Sequence, residues 1–393
     1  MTFHNYFSFL IYSTLFFGYF VYSFAVLSVF PSFLGGMFSL SLTIFFPIVF
    51  VTYIFNLKIE SNLIEWLYFL LLFYVLSYSF IAAAFLNTAL SDPPVSKGLL
   101  LIFYSLVGWF IGRFLTLENH IFRNINYLCI IYIVGFFLMN IITEGNIFAV
   151  LFILLDDSGI ASTYQGIGRS IFFIGVFTLL FSKKHIHTLF LSFILLLFLV
   201  GSRTHILGFV SMFFFYLFLS YPKSSIITLS FVIAAFSVTL SIINIYFPES
   251  YDAIVTSRMA ELFNLASSAS FASRMQTFTT GWEIIGSYPI FGSFGHYFYN
   301  STGYPHNFLY AWSNWGYLPL LLILIIFFIA LFKAFIRVLT IRNHVNVMLV
   351  SYIITVFILY IFLLEPIDDV SLGIMVGLLT GIIDEKQKNY TYL

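Results

Sequence analysis

Three residues of this sequence could do chemistry together: Arg203, Arg274 and His306. Arg203 lies in the segment GSRTH (201–205), between two apolar runs that are joined by almost no linker. A charged side chain at membrane depth is costly and usually marks a function or a partner, whereas the plain alternative is an arginine that snorkels to the lipid headgroups. Because Arg203 also lies on the predicted side of the membrane with fewer basic residues, we favour a functional role.

Arg274 belongs to a predicted helix in which it shares one face with Phe271, Phe278, Trp282 and Ile285. It therefore lies on the apolar stripe and not on the solvated face. A guanidinium in that position needs an anionic partner, and a phosphate would serve through bidentate hydrogen bonds. A buried ion pair with an acidic residue on the same side is an equal alternative.

His306 lies in the segment YPHNF (304–308), where the predicted loop returns to the membrane. Asn307 is suited to cap the helix that follows, and the positive end of that helix favours a neutral imidazole. A neutral histidine near pH 7 is a competent general base. The alternative is an interfacial histidine with a structural role only.

A set of arginines and one base beside lipid suits glycosyl transfer from a lipid diphosphate. Two arginines can neutralise the diphosphate and stabilise it as it leaves, while a histidine deprotonates a sugar hydroxyl. Arg258 is a third candidate for anion binding, and a solvated loop arginine is its plain alternative. The sequence has no metal-ligand spacing, no nucleotide-sugar signature and no nucleophilic triad, and its single cysteine excludes a cysteine-based metal site. We therefore expect no metal and no cofactor.

The composition defines the elements that must position these residues. Of 393 residues, 61% are hydrophobic and 8% are charged, whereas a soluble domain has about 25% charged residues. Such a chain cannot cover itself with polar surface, so a lipid bilayer must be its partner. The formal net charge of zero does not suggest nucleic acid.

The hydropathy pattern predicts an all-α polytopic membrane protein with about twelve transmembrane helices. Apolar runs lie at 7–30, 37–56, 64–86, 98–116, 125–142, 166–182, 188–202, 204–221, 225–247, 307–331, 346–363 and 369–383. Residues 1–247 would contain the first nine helices, and residues 248–306 would form one long extracytoplasmic loop with short helices. Residues 307–393 would contain the last three helices and a short cytoplasmic tail.

The distribution of basic residues orients this arrangement. With the N-terminus in the cytoplasm, eleven of the 16 lysines and arginines fall in inside loops and five fall outside. The positive-inside rule therefore predicts that both termini are cytoplasmic. Lys97, Arg169, Arg203, Arg258 and Arg274 are the five outside residues. The candidate active site would then be extracytoplasmic.

The order of several short motifs resembles the O-antigen polymerase and O-antigen ligase family. A Ser-Arg pair between two late helices precedes a long outside loop. That loop carries Ser273-Arg274, Trp282 and the segment YPIFGSFG (288–295), and His306-Asn307 and Trp315-Gly316 follow it. The resemblance covers roughly residues 200–320 together with the overall topology.

The resemblance implies a GT-C-like membrane fold in the bacterial inner membrane, with a periplasmic active site. It also implies metal-independent, inverting transfer of a glycan from undecaprenyl diphosphate to a lipid-linked acceptor. Arg203 and Arg274 match positions that bind the pyrophosphate, and His306 matches the proposed catalytic base, with Asn307 in support. A chain-length regulator protein is a further candidate partner.

Two other functions compete with a polymerase. Ligases of this family often carry an acidic residue shortly after the His-Asn pair, where this chain has FLYA (308–311), and this departure favours the polymerase. A flippase or transporter is the alternative from another class, and it would show two related halves and charges at mid-membrane. No repeat is visible, and the charged residues cluster near loops.

Overall fold

The computed structural model describes residues 62–86, 93–114, 161–181, 186–199, 202–221, 241, 245, 269–299, 307–362 and 370–390. The elements within these ranges are helices, which we number in chain order. They are α1 (Leu63–Leu86), α2 (Pro93–Phe114), α3 (Ala161–Phe181), α4 (Ile186–Leu199), α5 (Arg203–Ser220), α6 (Ala269–Ser287), α7 (His296–Tyr299), α8 (Leu309–Trp315), α9 (Tyr317–Thr340), α10 (His344–Phe362) and α11 (Val370–Tyr390).

Three of these helices, α1, α9 and α10, are long and apolar enough to cross a membrane, and α3, α4, α5 and α11 contain shorter apolar helical stretches. The described part of the chain is therefore an all-helical, membrane-embedded protein. The predicted runs at 7–30, 37–56 and 125–142 lie outside the described residues, and only residues 241 and 245 of the run at 225–247 are described. The total of about twelve helices stays a prediction.

The predicted run at 307–331 differs most from the observed helices. Two helices occupy this region, α8 and α9, and the second continues to Thr340. Gly316 separates them with φ 87° and ψ −176°, a conformation that no α-helix can include. One glycine hardly changes the mean hydropathy of an apolar run, so the hydropathy pattern could not show this break.

Two helices of the bundle core, α2 and α11, pack on each other through glycines. Helices α2 and α11 run parallel, since Gly108 faces Val370 while Gly112 faces Ile374 further along both helices. A Cβ atom on Gly373 would lie 2.1 Å from the Ser105 carbonyl oxygen, so the two backbones are in direct contact. Small residues at intervals of four are the usual means of such close approach in membranes.

A buried ion pair joins α1 and α2 at one end of the bundle. Glu65 and Arg113 are almost fully buried, and their Oε1 and Nε atoms are 3.3 Å apart. The indole of Trp109 donates a second hydrogen bond to Glu65 Oε1 at 3.0 Å. A third helix, α9, joins this end through Lys333, which donates to the side-chain oxygen of Asn62 just before α1. We call this the opposite end, because the beginning of α5 and Asn307 lie at the other end.

The other end, here called the site end, contains the beginnings of α3, α5 and α9 and the end of α10. Gly168 of α3 lies against Ser202 just before α5. At the far ends of the same two helices, His344 hydrogen-bonds both Tyr216 and the carbonyl of Leu179. These contacts at both ends make α3 and α5 parallel and place both of their beginnings at the site end.

Candidate functional site

The structure describes only part of the predicted site. Arg203 is the first residue of α5 and Arg274 lies in α6, but the side chains of both lie outside the described residues, as do His306 and Arg258 entirely. Asn307 is described and buried. The meeting of Arg203, Arg274 and His306 in one pocket therefore stays a prediction, and the geometry that follows concerns the elements that carry them.

The beginning of α5 is held by a buried pair of polar side chains. Ser202 is the N-cap residue, but its hydroxyl makes no bond to the helix backbone. Instead, Ser202 Oγ lies 2.7 Å from His205 Nδ1, and both side chains are buried. The pairing satisfies both groups in a region where an unpaired polar atom is costly. Since Arg203 lies between the two partners, this bond fixes the backbone from which Arg203 projects.

A glycine of α3 permits this arrangement. A Cβ atom at Gly168 would lie 2.2 Å from Ser202 Oγ and 3.3 Å from His205 Nδ1. The next residue, Arg169, is half-buried, so α3 brings another of the predicted outside arginines to the site end. We assigned no role to Arg169, Ser202 or His205 from the sequence. The GIGR segment (166–169) was the available signal, because paired small residues favour a close helix contact.

Asn307 lies at the same end of the bundle as the beginning of α5. The amide of Phe308 donates to the carbonyl of Tyr360, near the end of α10, at 2.9 Å. The neighbouring Leu359 packs on Gly208 of α5, where a Cβ atom would lie 2.8 Å from its side chain. Gly208 follows Arg203 by five residues, which is about 7.5 Å along a helix. The end of α10 therefore connects the two segments that carry candidate site residues.

The side chain of Asn307 begins α8, in the role that its sequence position predicts. Its Oδ1 atom accepts the amide of Leu309, the first residue of α8, at 3.0 Å. The carbonyl of Asn307 accepts the amide of Tyr310 at 3.1 Å. Two bonds therefore fix the direction in which the chain enters α8 directly after His306.

Helix α6 buries part of the face that we expected: Ile285 is buried and Phe278 is half-buried, but Trp282 is not. Ile284 and Ile285 are buried, whereas Trp282 is 45% exposed and Glu283 is exposed. Trp282 nevertheless contacts Trp312 of α8, with ring centroids 6.0 Å apart. The face predicted from the sequence included Trp282, which in the structure lies at the edge of the buried stripe. A wide ring of this kind can lie at such an edge, partly exposed.

The register of α6 keeps the backbone of Arg274 on the buried stripe. Arg274 is seven residues before Gly281 and eleven before Ile285, and both of these are buried. Residues with this spacing lie on one face of an α-helix. An arginine on this face would need an anionic partner, and that partner stays a prediction.

Hydrogen bonds hold the segment from Tyr288 to Tyr297 against α8 and the first residue of α9. The bonds are Trp312 Nε1 to the Pro289 carbonyl (2.7 Å), the Ser293 amide to the Ser313 carbonyl (2.7 Å), the Gly295 amide to Asn314 Oδ1 (3.0 Å), Tyr297 Oη to Ser313 Oγ (2.7 Å) and the Tyr317 amide to the Ile290 carbonyl (3.0 Å). Helix α1 adds Tyr78 Oη to the Phe291 carbonyl at 2.6 Å. This unit contains the YPIFGSFG motif, so the motif is a structural joint between α6 and α8.

Three glycines with positive φ make the joint possible. Gly292 has φ 67°, Gly295 has φ 73° and Gly316 has φ 87°. A Cβ atom at Gly316 would lie 2.2 Å from the Ile290 carbonyl oxygen, and one at Gly292 would lie 2.7 Å from the Ser313 carbonyl oxygen. Both positions therefore exclude a side chain for conformational and steric reasons.

Burial raises the pKa of the tyrosine in this joint. Loss of solvent around Tyr297 raises the pKa of its phenol to about 12, and this effect outweighs the opposing effect of the hydrogen bond with Ser313. A phenol is protonated at neutral pH even at its ordinary pKa, so Tyr297 can donate its hydrogen to Ser313. In the described parts of the chain, no group of three His, Cys, Asp or Glu side chains could hold a metal ion.

Comparison with protein-family models finds no matching family, and comparison with curated proteins finds no significant match.

Proposed function

We propose that this protein is an O-antigen polymerase, a glycosyltransferase that joins lipid-linked oligosaccharide repeat units at the periplasmic face of the bacterial inner membrane. The main support is the convergence of two segments on the end of α10. The beginning of α5, which carries Arg203, packs on Leu359, and the chain directly after His306 bonds to Tyr360. Residues far apart in the sequence thus reach one end of an apolar helical bundle.

In the proposed reaction, the donor is a growing glycan on undecaprenyl diphosphate and the acceptor is the terminal sugar of another lipid-linked unit. His306 takes the proton of the acceptor hydroxyl, whose oxygen forms the new bond to the anomeric carbon of the donor. The bond from that carbon to the diphosphate oxygen breaks, and undecaprenyl diphosphate leaves. Arg203 and Arg274 hold the diphosphate, and Arg258 is the third candidate contact.

The positions of the charged residues support transfer over transport. Glu65 is the third residue of α1 and Arg113 is the second-last residue of α2. Their buried pair therefore lies about one helical turn from the ends of these helices and not at mid-membrane. A carrier that moves its substrate between two related halves would be expected to place its charges near the centre of the bilayer.

Replacement of the proposed base tests the function. In a strain that lacks the chromosomal gene, His306→Ala should leave only single repeats on the lipopolysaccharide core, although the protein is present in the membrane. His296→Ala is the matched control, because His296 lies in the same predicted loop and no role is assigned to it. A normal ladder of chain lengths with His306→Ala would refute the assignment.

The deletion strain itself distinguishes the polymerase from the two alternatives. Core with a single repeat is the expected result for a polymerase, and bare core would identify a ligase. A purified protein that moves labelled lipid across vesicles, without making longer glycans, would identify a flippase.

A further inference from the structure

An exposed apolar surface lies on the joint between α6 and α8 and on the adjoining ends of α6 and α9. It consists of Trp282, Tyr288, Ile290, Phe291 and Tyr317, whose exposed fractions range from 45% to 68%. Ile290 and Phe291 are the most exposed, at 65% and 68%. We call these five residues the aromatic rim. A soluble loop would not be expected to present so many large apolar side chains together.

The position of the aromatic rim follows from its bond to α9. Helix α9 has 24 residues, or about 36 Å at 1.5 Å per residue, and the hydrocarbon core of a bilayer is about 30 Å thick. Lys333 and Arg337 lie about 24 and 30 Å after Tyr317 on this scale. Because their charged groups must reach headgroups on one side, Tyr317 lies close to the hydrocarbon boundary on the other side.

The hydrogen bond between the Tyr317 amide and the Ile290 carbonyl then fixes the depth of the turn. At 3.0 Å it brings the backbone of Ile290 to the level of the first residue of α9. Phe291 is adjacent, and its carbonyl accepts a hydrogen bond from Tyr78, eight residues before the end of α1. Two spanning helices therefore hold the turn at the bilayer boundary, so its exposed side chains face the level of the lipid and not bulk water.

The side-chain types agree with this depth. Tryptophan and tyrosine are enriched at both membrane–water boundaries, where their rings contact apolar chains and their polar atoms reach water. Ile290 and Phe291 have no polar group, which suits them to contact with acyl chains. The carbonyls of Pro289, Ile290 and Phe291 are bonded to α8, α9 and α1, respectively.

We propose that the aromatic rim binds the lipid bilayer itself, and that Ile290 and Phe291 insert into the acyl-chain region beside the beginning of α9. The segment from Ala269 to Tyr299, which hydropathy assigns to a loop outside the membrane, is on this view anchored in the interface. The proposal does not depend on the transferase reaction, because it uses only the depth and exposure of the rim.

Spin labels can test the contact directly. Single cysteines would replace Ile290 and Phe291 in a Cys129→Ser background, in the full chain reconstituted into vesicles of phosphatidylethanolamine and phosphatidylglycerol. The side chains of residues 290 and 291 do not hold the joint together, since its bonds at these residues use backbone carbonyls. Power saturation would compare collisions with oxygen, which concentrates in lipid, and with a water-soluble nickel chelate.

Two matched positions calibrate the measurement. Phe328→Cys is the lipid reference, because Phe328 is 80% exposed and lies about 16 Å along α9 from Tyr317. Asn343→Cys is the water reference, because it is exposed between α9 and α10. We expect oxygen collisions to exceed nickel collisions at 290 and 291, as at 328, with the order reversed at 343. Dominant nickel collisions at both rim positions, or protection from both reagents by protein, would overturn the proposal.

Discussion

Substitution of Gly377 by alanine should test the close contact between α2 and α11. A Cβ atom at this position would lie 2.2 Å from the Trp109 carbonyl oxygen and 2.6 Å from the Arg113 backbone nitrogen. Ordinary contact begins at 3.4 Å, so α2 and α11 would have to separate locally by about 1.2 Å. Backbone atoms cannot rotate away as a flexible side chain can, and the strain must therefore be distributed along both helices.

We expect Gly377→Ala to lower the free energy of unfolding by about 1–3 kcal/mol, the usual cost of an overfilled core. The contact is made with Trp109 and Arg113, which are both bonded to Glu65. Separation of the helices would therefore also stretch the buried ion pair, so the loss should lie toward the upper part of that range.

The free energy of unfolding can be measured in mixed micelles with increasing SDS, followed by tryptophan fluorescence. Gly286→Ala is the matched control, because Gly286 is also in a helix but has no atom within 4 Å of an added Cβ. The control should be unchanged or more stable by up to about 1 kcal/mol, since alanine is the better helix former. Equal stability of Gly377→Ala and the parent protein would show that α2 and α11 do not pack as described.

Three further substitutions probe other parts of the described structure, the first two by the same unfolding assay and the third by amide hydrogen exchange. Glu65→Gln should cost about 3–5 kcal/mol because it removes the carboxylate from a buried arginine, and Glu65→Gln with Arg113→Gln should recover part of this; a neutral effect of the single change would contradict the burial of the pair. Ser202→Ala should cost about 1–3 kcal/mol by depriving His205 of its bond, and Ser202→Ala with His205→Phe should be closer to neutral; equal losses in both variants would contradict the pairing. Gly316→Ala should increase amide hydrogen exchange between Tyr288 and Gly295, because φ 87° and the nearby Ile290 carbonyl both oppose a side chain; unchanged exchange would show that the joint does not need this glycine.

The aromatic rim relates the candidate site to the bilayer. Arg274 precedes Trp282 by eight residues, or about 12 Å along α6. If Trp282 lies at the interface, the arginine remains within reach of the headgroup region, where a lipid-borne diphosphate would lie. Trp282 of the rim and Arg274, one of the proposed pyrophosphate contacts, thus share one helix.

The sequence predicted the apolar helices that a membrane environment requires. Runs such as 64–86 and 346–363 agree with α1 and α10 within two residues, because a segment in lipid must satisfy its backbone hydrogen bonds internally and can do so only as a helix or in a closed barrel. The sequence also identified Asn307 as a residue that begins a helix, since that role depends on local hydrogen bonds alone.

Tertiary structure decided the contacts between these helices. The small-residue repeats at 108–112 and at 373–381 were visible in the sequence, but their pairing depends on a parallel arrangement of segments far apart in the chain. The bond between Ser202 and His205 depends equally on the space that Gly168 leaves. Hydropathy records how apolar each segment is, and it contains no information on which face of one helix meets which face of another, because that choice depends on shape and on a few buried hydrogen bonds.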